Sequence, residues 1–367
     1  TISPQGRPMI FYTSIGRGKS ATDYAEQWAA IGDNDLYTWS RPTNNPVLHE
    51  HVHGDTKVYD WRDPFLFEHE GRHFLVTGGN LNRGRGGAAV VTLYEADGTN
   101  LLSWRYRGVL FTHPDPKVTN IECPNFFKLR DRWVLIISPH REVEYFVGRF
   151  DAEAGRFTSE RDGRLDHSGH FYAPNSLVDP EGRRVLWGWV RGFPDGLGWN
   201  GCLTLPRVLA LNDRGELLQE SLPALTRLRG AALTRDRLTL TNATNVLDSI
   251  QGDALEIETH LDRGTARDVT LWVRRSTNGD QAVPVSWDGS RLTVDGIAAP
   301  VPAAEGSRAL KLRVFVDKSV LEVYAHDRIC LTRVLKSRPE DVGVAVGARE
   351  GTATVELLRA WPMRSIW

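Results

Sequence analysis

The last third of the chain alternates apolar and polar residues at period two. ALEIETHLD (254–262), DVTLWVRRS (268–276), ALKLRVFVDKSVLEVYAHD (309–327) and VGVAVGAREGTATVELLRAWPM (342–363) all carry this pattern. It predicts strands with one buried face, and turn residues recurring at roughly 8–12 residues predict a β-sandwich. Helical periodicity is scarce. TDYAEQWAAI (22–31) is the one stretch that could form a helix, and its flanks favour a strand.

The first two thirds read differently. PFLFEHEGRHFLVTGG (64–79), PNFFKLRDRWVLIISP (124–139) and PNSLVDPEGRRVLWGWV (174–190) each run proline, short apolar strand, turn, second apolar strand. Proline suits a strand entrance because the first amide need not join the ladder. Pro64 and Pro124 lie seven residues before the turn residues Gly71 and Asp131, and Pro174 lies eight before Gly182. A fourth copy opens the chain, TISPQGRPMIFYTSI (1–15), with its turn at Gly6–Arg7. A second echo pairs DNDLYTWSRPTNNPVL (33–48) with DGTNLLSWRYRGVLF (97–111). Trp39 to Trp104 and Gly6 to Gly71 share one offset of 65 residues. Strand-rich units repeating every ~50–65 residues predict a β-propeller, and the first copy is expected to be cut at its front. The expected organisation is an all-β chain: propeller over 1–221, connector over 222–230 and β-sandwich over 231–367.

Composition narrows the function classes. A net charge of −1 across 367 residues offers no footprint for nucleic acid or an anionic membrane, and no apolar run approaches the ~20 residues that span a bilayer. Cys123, Cys202 and Cys330 are too few and scattered for a disulfide framework or a zinc site. No cofactor or metal is expected. Any signal segment would have preceded Thr1, so localisation stays open between extracellular and cytoplasmic.

Candidate chemistry sits at the strand entrances. The residues before the three repeat prolines are Arg62-Asp63, Glu122-Cys123 and Tyr172-Ala173. Equivalent positions of successive blades converge at one end of a propeller axis, so Asp63, Glu122 and Tyr172 are expected to face one funnel. Two carboxylates in an aromatic-lined pocket suit glycoside hydrolysis, in which one protonates the leaving oxygen and the other attacks or activates water. Arg62 favours an ionised Asp63 where the two side chains approach. The plainer reading is that these acids bond backbone amides at strand ends. HEHVH (49–53) puts three histidines on one strand face, a weak metal candidate in a loop. GKS (18–20) lacks the upstream glycine of a phosphate loop, RGRGG (83–87) reads as a turn, and no G-x-S-x-G is present.

These motifs together resemble glycoside hydrolase family 32, the invertases, levanases, inulinases and fructosyltransferases. WRDP (61–64) looks like the family's R-D-P motif and IECP (121–124) like its E-C-P motif. HFYAPN (170–175) is similar to its third pocket segment, with His170 where that segment often has Asp. VLWGWV (185–190) and GWNGCLTLPRVL (198–209) look like its late-propeller signature. ALKLRVFVDKSVLEVYAHD and the closing LLRAWPMRSIW look like its sandwich. The resemblance implies a five-bladed propeller plus sandwich and a retaining mechanism on β-fructofuranosides such as sucrose, levan or inulin. It implies Glu122 as general acid/base and Asp63 as transition-state stabiliser. Arg62, Trp61, Tyr172 and Asn175 would bind substrate. The family's nucleophile, an Asp in a W-M-N-D-P-N-G type motif of the first blade, has no match in this sequence. A first blade is therefore expected to be missing and this chain alone impaired; three explanations compete, a fragment whose first blade a second chain or fragment supplies, a truncated homologue without hydrolase activity, and attack by Asp63 in place of the absent acid. The alternatives are a fructosyltransferase and a non-catalytic fructan-binding homologue.

Overall fold

The computed structural model describes residues 1–16, 19–20, 24–81, 87–301 and 309–366; Gly18 of the GKS stretch and residues 83–86 of RGRGG lie outside them. Among the described residues, four antiparallel sheets precede residue 222 and two follow it. The first sheet holds β1 (Met9–Ser14), β2 (Glu26–Gly32) and β3 (Trp39–Ser40), so the ambiguous 22–31 stretch contributes a strand. The second holds β4 (Val58–His69), β5 (Arg72–Leu81), β6 (Ala88–Ala96) and β7 (Trp104–Thr112). The third holds β8 (Glu122–Leu129), β9 (Arg132–Ser138), β10 (Glu144–Asp151) and β11 (Arg156–Arg164). The fourth orders β12 (Phe171–Val178), β13 (Arg184–Val190), β15 (Arg207–Leu211) and β16 (Leu217–Ser221), with β14 (Cys202–Leu203) pairing β13. These up-and-down sheets are propeller blades. The two later sheets, of seven and six strands, share one apolar core and form the sandwich.

The 65-residue offset is visible atom by atom. Leu36 and Leu101 both take left-handed φ, 64° and 57°. The indole N–H of Trp39 donates to the Leu36 carbonyl at 2.8 Å, and that of Trp104 to the Leu101 carbonyl at 3.0 Å. One local turn is thus built twice by the same three-residue spacing.

Aromatic rings bind the second sheet to the third. Phe67 on β4 stacks on Phe74 of β5 at 5.2 Å, and Phe126 on β8 stacks on Trp133 of β9 at 4.8 Å. Phe67 meets Phe126 edge to face at 5.1 Å, and Phe150 of β10 closes on both. Each such pair contributes roughly 0.5–1.5 kcal/mol beyond the area it buries. The cluster fixes β4 beside β8.

By contact, the described residues fall into two compact units: Thr1–Arg164 with Ala173–Asn175 and Leu211–Glu216, and Leu165–Tyr172 with Ser176–Ala210 and Leu217–Trp367. The second unit holds a buried charge. Arg207, wholly inaccessible, donates to Asp166 and Glu322, each at 3.0 Å, and to Thr332 at 2.8 Å. Asp166 also accepts the Thr332 amide at 3.1 Å, and Glu322 the Leu205 amide at 2.7 Å. These bonds tie β15 to the Val320–Ala325 and Ile329–Val334 strands of the sandwich.

The HEHVH stretch forms a short turn and not a strand face. Residues Glu50–His53 form a 3-10 turn in which His49 and His51 stack at 4.2 Å. His53 is buried, with Nε2 2.7 Å from the Tyr94 hydroxyl. Among the described residues no group of three or more His, Cys, Asp or Glu is placed to hold a metal.

Two predictions follow from these buried groups. Arg207→Met leaves two inaccessible carboxylates without their cation and is expected to lower stability by about 3–5 kcal/mol, read by urea unfolding. Burial, opposed by Glu50, holds the His53 pKa down to about 4, against roughly 6.5 in the unfolded chain. The unfolded state therefore binds a proton first. The His53 contribution is complete above about pH 6.5 and is lost as pH falls toward the folded value, roughly 3 kcal/mol in all. His53→Phe should flatten the stability–pH curve over that window; an unchanged slope would refute the assignment.

Candidate active site

Why the strand entrances bend follows from the ladder. Between Arg62 and Phe65, β4 advances three residues while β5 moves only from Gly78 to Val76. Between Glu122 and Asn125, β8 advances three while β9 moves from Ser138 to Ile136. Each strand carries one extra residue, a bulge that re-aims the side chains around it. Asp63, Cys123 and Ala173, each immediately before a proline, take φ of 63°, 47° and 46°. Left-handed φ at a residue other than glycine costs on the order of 1–3 kcal/mol, so three repetitions mark a conformation the surroundings enforce.

The bulges interlock across sheets. The Asp63 carboxylate accepts the Cys123 amide at 2.9 Å, and the Asp63 amide donates to Thr13 Oγ1 on β1 at 3.0 Å. Asn125 donates through Nδ2 to the Pro174 carbonyl at 2.9 Å. Gly78 lets the chain before Glu122 come close: a Cβ there would stand 2.1 Å from the Ile121 carbonyl oxygen.

Arg62 gathers the acids. Its Nη2 lies 2.5 Å from Glu122 Oε1, and its Nε 3.9 Å from Asp63 Oδ2. Nη1 donates to the Asp60 carbonyl at 2.9 Å and to Asp60 Oδ1 at 3.1 Å. Burial, the largest single influence, pulls the Arg62 pKa down, but Glu122, Asp63 and Asp60 together raise it above its ordinary value. The guanidinium is a fixed positive charge between two carboxylates from neighbouring sheets. The tighter partner is Glu122, whereas the sequence suggested Asp63. Burial, with Asp63 and Glu122 adding to it, pushes the Cys123 thiol far up, so it stays protonated beside them.

The structure thus brings Arg62, Asp63 and Glu122 together. Tyr172, buried, belongs to the second unit, where the Arg191 guanidinium lies 4.1 Å over its ring. Asn175 is an exposed residue of the first unit. Trp61 is a correction. It is 2% exposed, packed against His53 at 4.7 Å and Tyr94 at 6.0 Å, and has no face left for a sugar. The sequence reading missed Asp60 and His140. His140 Nε2 stands 3.4 Å from Glu122 Oε2. It stands two residues beyond Ser138, the residue paired with Glu122, and that register is carried by the ladder and not by the sequence.

Comparison with known proteins gives the family. The model of the glycosyl hydrolases family 32 N-terminal domain matches residues 1–221, and that of the family 32 C terminal matches residues 224–362. A levanase of Bacillus sp. is 28% identical over 383 residues, covering 90% of this chain and 40% of that protein. A sucrose-6-phosphate hydrolase of Bacillus subtilis is 30% identical over 253 residues, covering 62% of this chain and 50% of that protein. The chain thus spans half or less of the length of these two relatives. Fructan 1-exohydrolase IIa from Cichorium intybus superposes with a TM-score of 0.84 at 19% identity, over 99% of this chain and 82% of that one. A sucrose-6-phosphate hydrolase from Lactobacillus gasseri gives 0.80 at 22% identity, over 99% and 77%. These structural likenesses establish the propeller-plus-sandwich fold. With both domain models matched in order along its length, the chain belongs to glycosyl hydrolases family 32.

Proposed function

We propose that the chain acts on β-fructofuranosides, sucrose or fructans such as levan and inulin, by a retaining mechanism in which Glu122 is the general acid/base and Asp63 stabilises the transition state. One observation carries the assignment of residues: a single guanidinium contacts both carboxylates, delivered by matching bulges of adjacent sheets. The names of the relatives, levanase and sucrose-6-phosphate hydrolase, support the substrate class.

The chemistry follows from what each group can still do. Asp63 spends one oxygen on the Cys123 amide, which fixes its orientation. Its remaining lone pairs accept a fructose hydroxyl, and its charge stabilises the oxocarbenium-like centre as positive charge grows. Arg62 offers N–H donors to ring hydroxyls. As the sugar engages them, Arg62 loosens from Glu122, which is then free to carry the proton it delivers to the leaving oxygen. In the second half of the cycle Glu122 takes a proton from the incoming water. Asn175 adds a sugar contact in this reading, and Tyr172 is a candidate sugar-binding residue of the second unit. The attacking carboxylate is not assigned to a residue of this chain.

Glu122→Gln is expected to cut fructose release from sucrose or levan by about 10²–10⁴-fold, while fructoside affinity, measured by calorimetry, changes by less than about tenfold. Fructose release that survives the substitution would overturn the role of Glu122. Wild-type chain that binds fructan yet releases no fructose would leave a binding protein instead. Gly78→Ala tests positioning without touching a reactive group. Pushing Ile121 away displaces Glu122, and turnover should drop by roughly 10-fold to 100-fold with a smaller change in KM; an unaltered kcat would show that the close approach is not needed.

A further inference from the structure

The outer face of the six-stranded sandwich sheet holds a cavity that the reaction at Glu122 does not use. Along the strand Asp268–Arg275, Val269, Leu271 and Val273 are buried in the sandwich core. The alternation of a strand therefore turns Asp268, Thr270 and Trp272 to the opposite face. Register extends that face sideways: Thr244, Gly347, Thr270 and Ser286 lie abreast on four adjacent strands. Trp272 sits between Ala345 and Pro284 in the next row. A cavity of about 390 Å³ opens here, within the size range of small-molecule sites.

Its lining has a definite chemistry. The six-membered ring of Trp272 settles over Gly347, where a Cβ would stand 3.0 Å from Cζ3 and 3.2 Å from Cη2. Trp272 is half-buried, with part of its ring on the cavity. Beside it the hydroxyls of Thr270 and Ser286 are 2.8 Å apart. At one end Arg349 Nε donates to Asp268 Oδ2 at 2.9 Å, with Arg349 largely exposed. Asn242 and Thr244 add an amide and a further hydroxyl to the lining. The one cation and the one carboxylate lining the cavity pair with each other, so the wall presents no net charge for a phosphate or an ionic peptide. An aromatic ring bordered by hydroxyls, an amide and a neutralised ion pair complements an uncharged ring whose flat faces are C–H and whose rim is O–H.

We propose that this face is a second saccharide-binding site, which seats one or two units of a neutral oligosaccharide with a C–H face on Trp272 and hydroxyls on Thr270, Ser286 and the Asp268–Arg349 pair. That the saccharide is a fructan rests on the function proposed above. Such a site holds polymer on the enzyme independently of the reacting end.

Retardation of the intact chain in native gels containing soluble levan or inulin tests this, with Glu122→Gln in the background to stop turnover. Wild-type surface should be retarded, and Trp272→Ala should weaken that retardation by roughly tenfold, the size of one aromatic contact. Thr244→Arg is the second arm: it fills the cavity from an exposed edge position and leaves Trp272 in place, so it serves if Trp272→Ala does not fold. Absence of retardation by either fructan, or retardation as strong in both variants as in the Glu122→Gln chain without them, would overturn the proposal. So would sedimentation showing a dimer that Thr244→Arg dissociates, since a second copy would then cover this face. Turnover assays on unmutated chain report separately on the Glu122 reading, so either conclusion can fail alone.

Discussion

A proline at a strand entrance cannot donate to the ladder, and the residue before it is pushed away from ordinary helical geometry. In three successive sheets the chain resolves this constraint in one way. The preceding residue turns left-handed, at Asp63, Cys123 and Ala173. In β4 and β8 a bulge absorbs the extra residue. The turn does two things at once. It swings the side chain one place further back, Arg62 or Glu122, toward its neighbour. It also frees the Cys123 amide to be taken by the Asp63 carboxylate. The site is a consequence of how the strands begin.

Much of this was legible in the chain. The proline-strand-turn repeat and the 65-residue offset reported the sheets because each is a local signal: a missing amide, a left-handed leucine, an indole returning to a carbonyl three residues back. Asp63 and Glu122 were legible for the same reason, since their positions follow from the repeat. What the sequence hid is pairwise. It put Arg62 with its neighbour Asp63, yet the guanidinium reaches 60 positions along the chain to Glu122 at 2.5 Å. Trp61 was misjudged because an aromatic residue beside a reactive motif reads alike whether it faces a sugar or the core. Its strand faces alternate, and the register shift between Tyr59 and Arg62, within which it falls, decides which face it takes. His140 went unseen because it is defined only by the residue across the ladder from it.

Two arginines show how surroundings divide one chemistry into two uses. Arg207 and Arg62 each meet two or more acids. Around Arg207 the acids are inaccessible and further tied by the amides of Thr332 and Leu205. No partner can be exchanged there without exposing a buried charge, so the cluster serves architecture. Around Arg62 the side chains of Glu122 and Asp63 remain 20% and 32% exposed. In the function proposed, a hydroxyl-rich ligand would replace one contact with another of similar strength, and the same kind of ion pair would become a place where a substrate competes.

The strain at Asp63 and Cys123 needs a source of stability that does not itself move when substrate arrives. It lies further along the same two strands. Phe67 is four residues beyond Asp63 and Phe126 three beyond Cys123, and their rings meet at 5.1 Å within the cluster that includes Trp133 and Phe150. Left-handed residues cost on the order of 1–3 kcal/mol each. Burial of one large aromatic side chain contributes a comparable 1.5–3 kcal/mol, as an order of magnitude. A close-packed ring cluster also resists displacement, because any gap forfeits contacts on every side at once. The geometry of the two carboxylates is therefore maintained by apolar residues that never approach a sugar. Changes in the core behind β4 and β8 reach the site by letting the strand entrances relax.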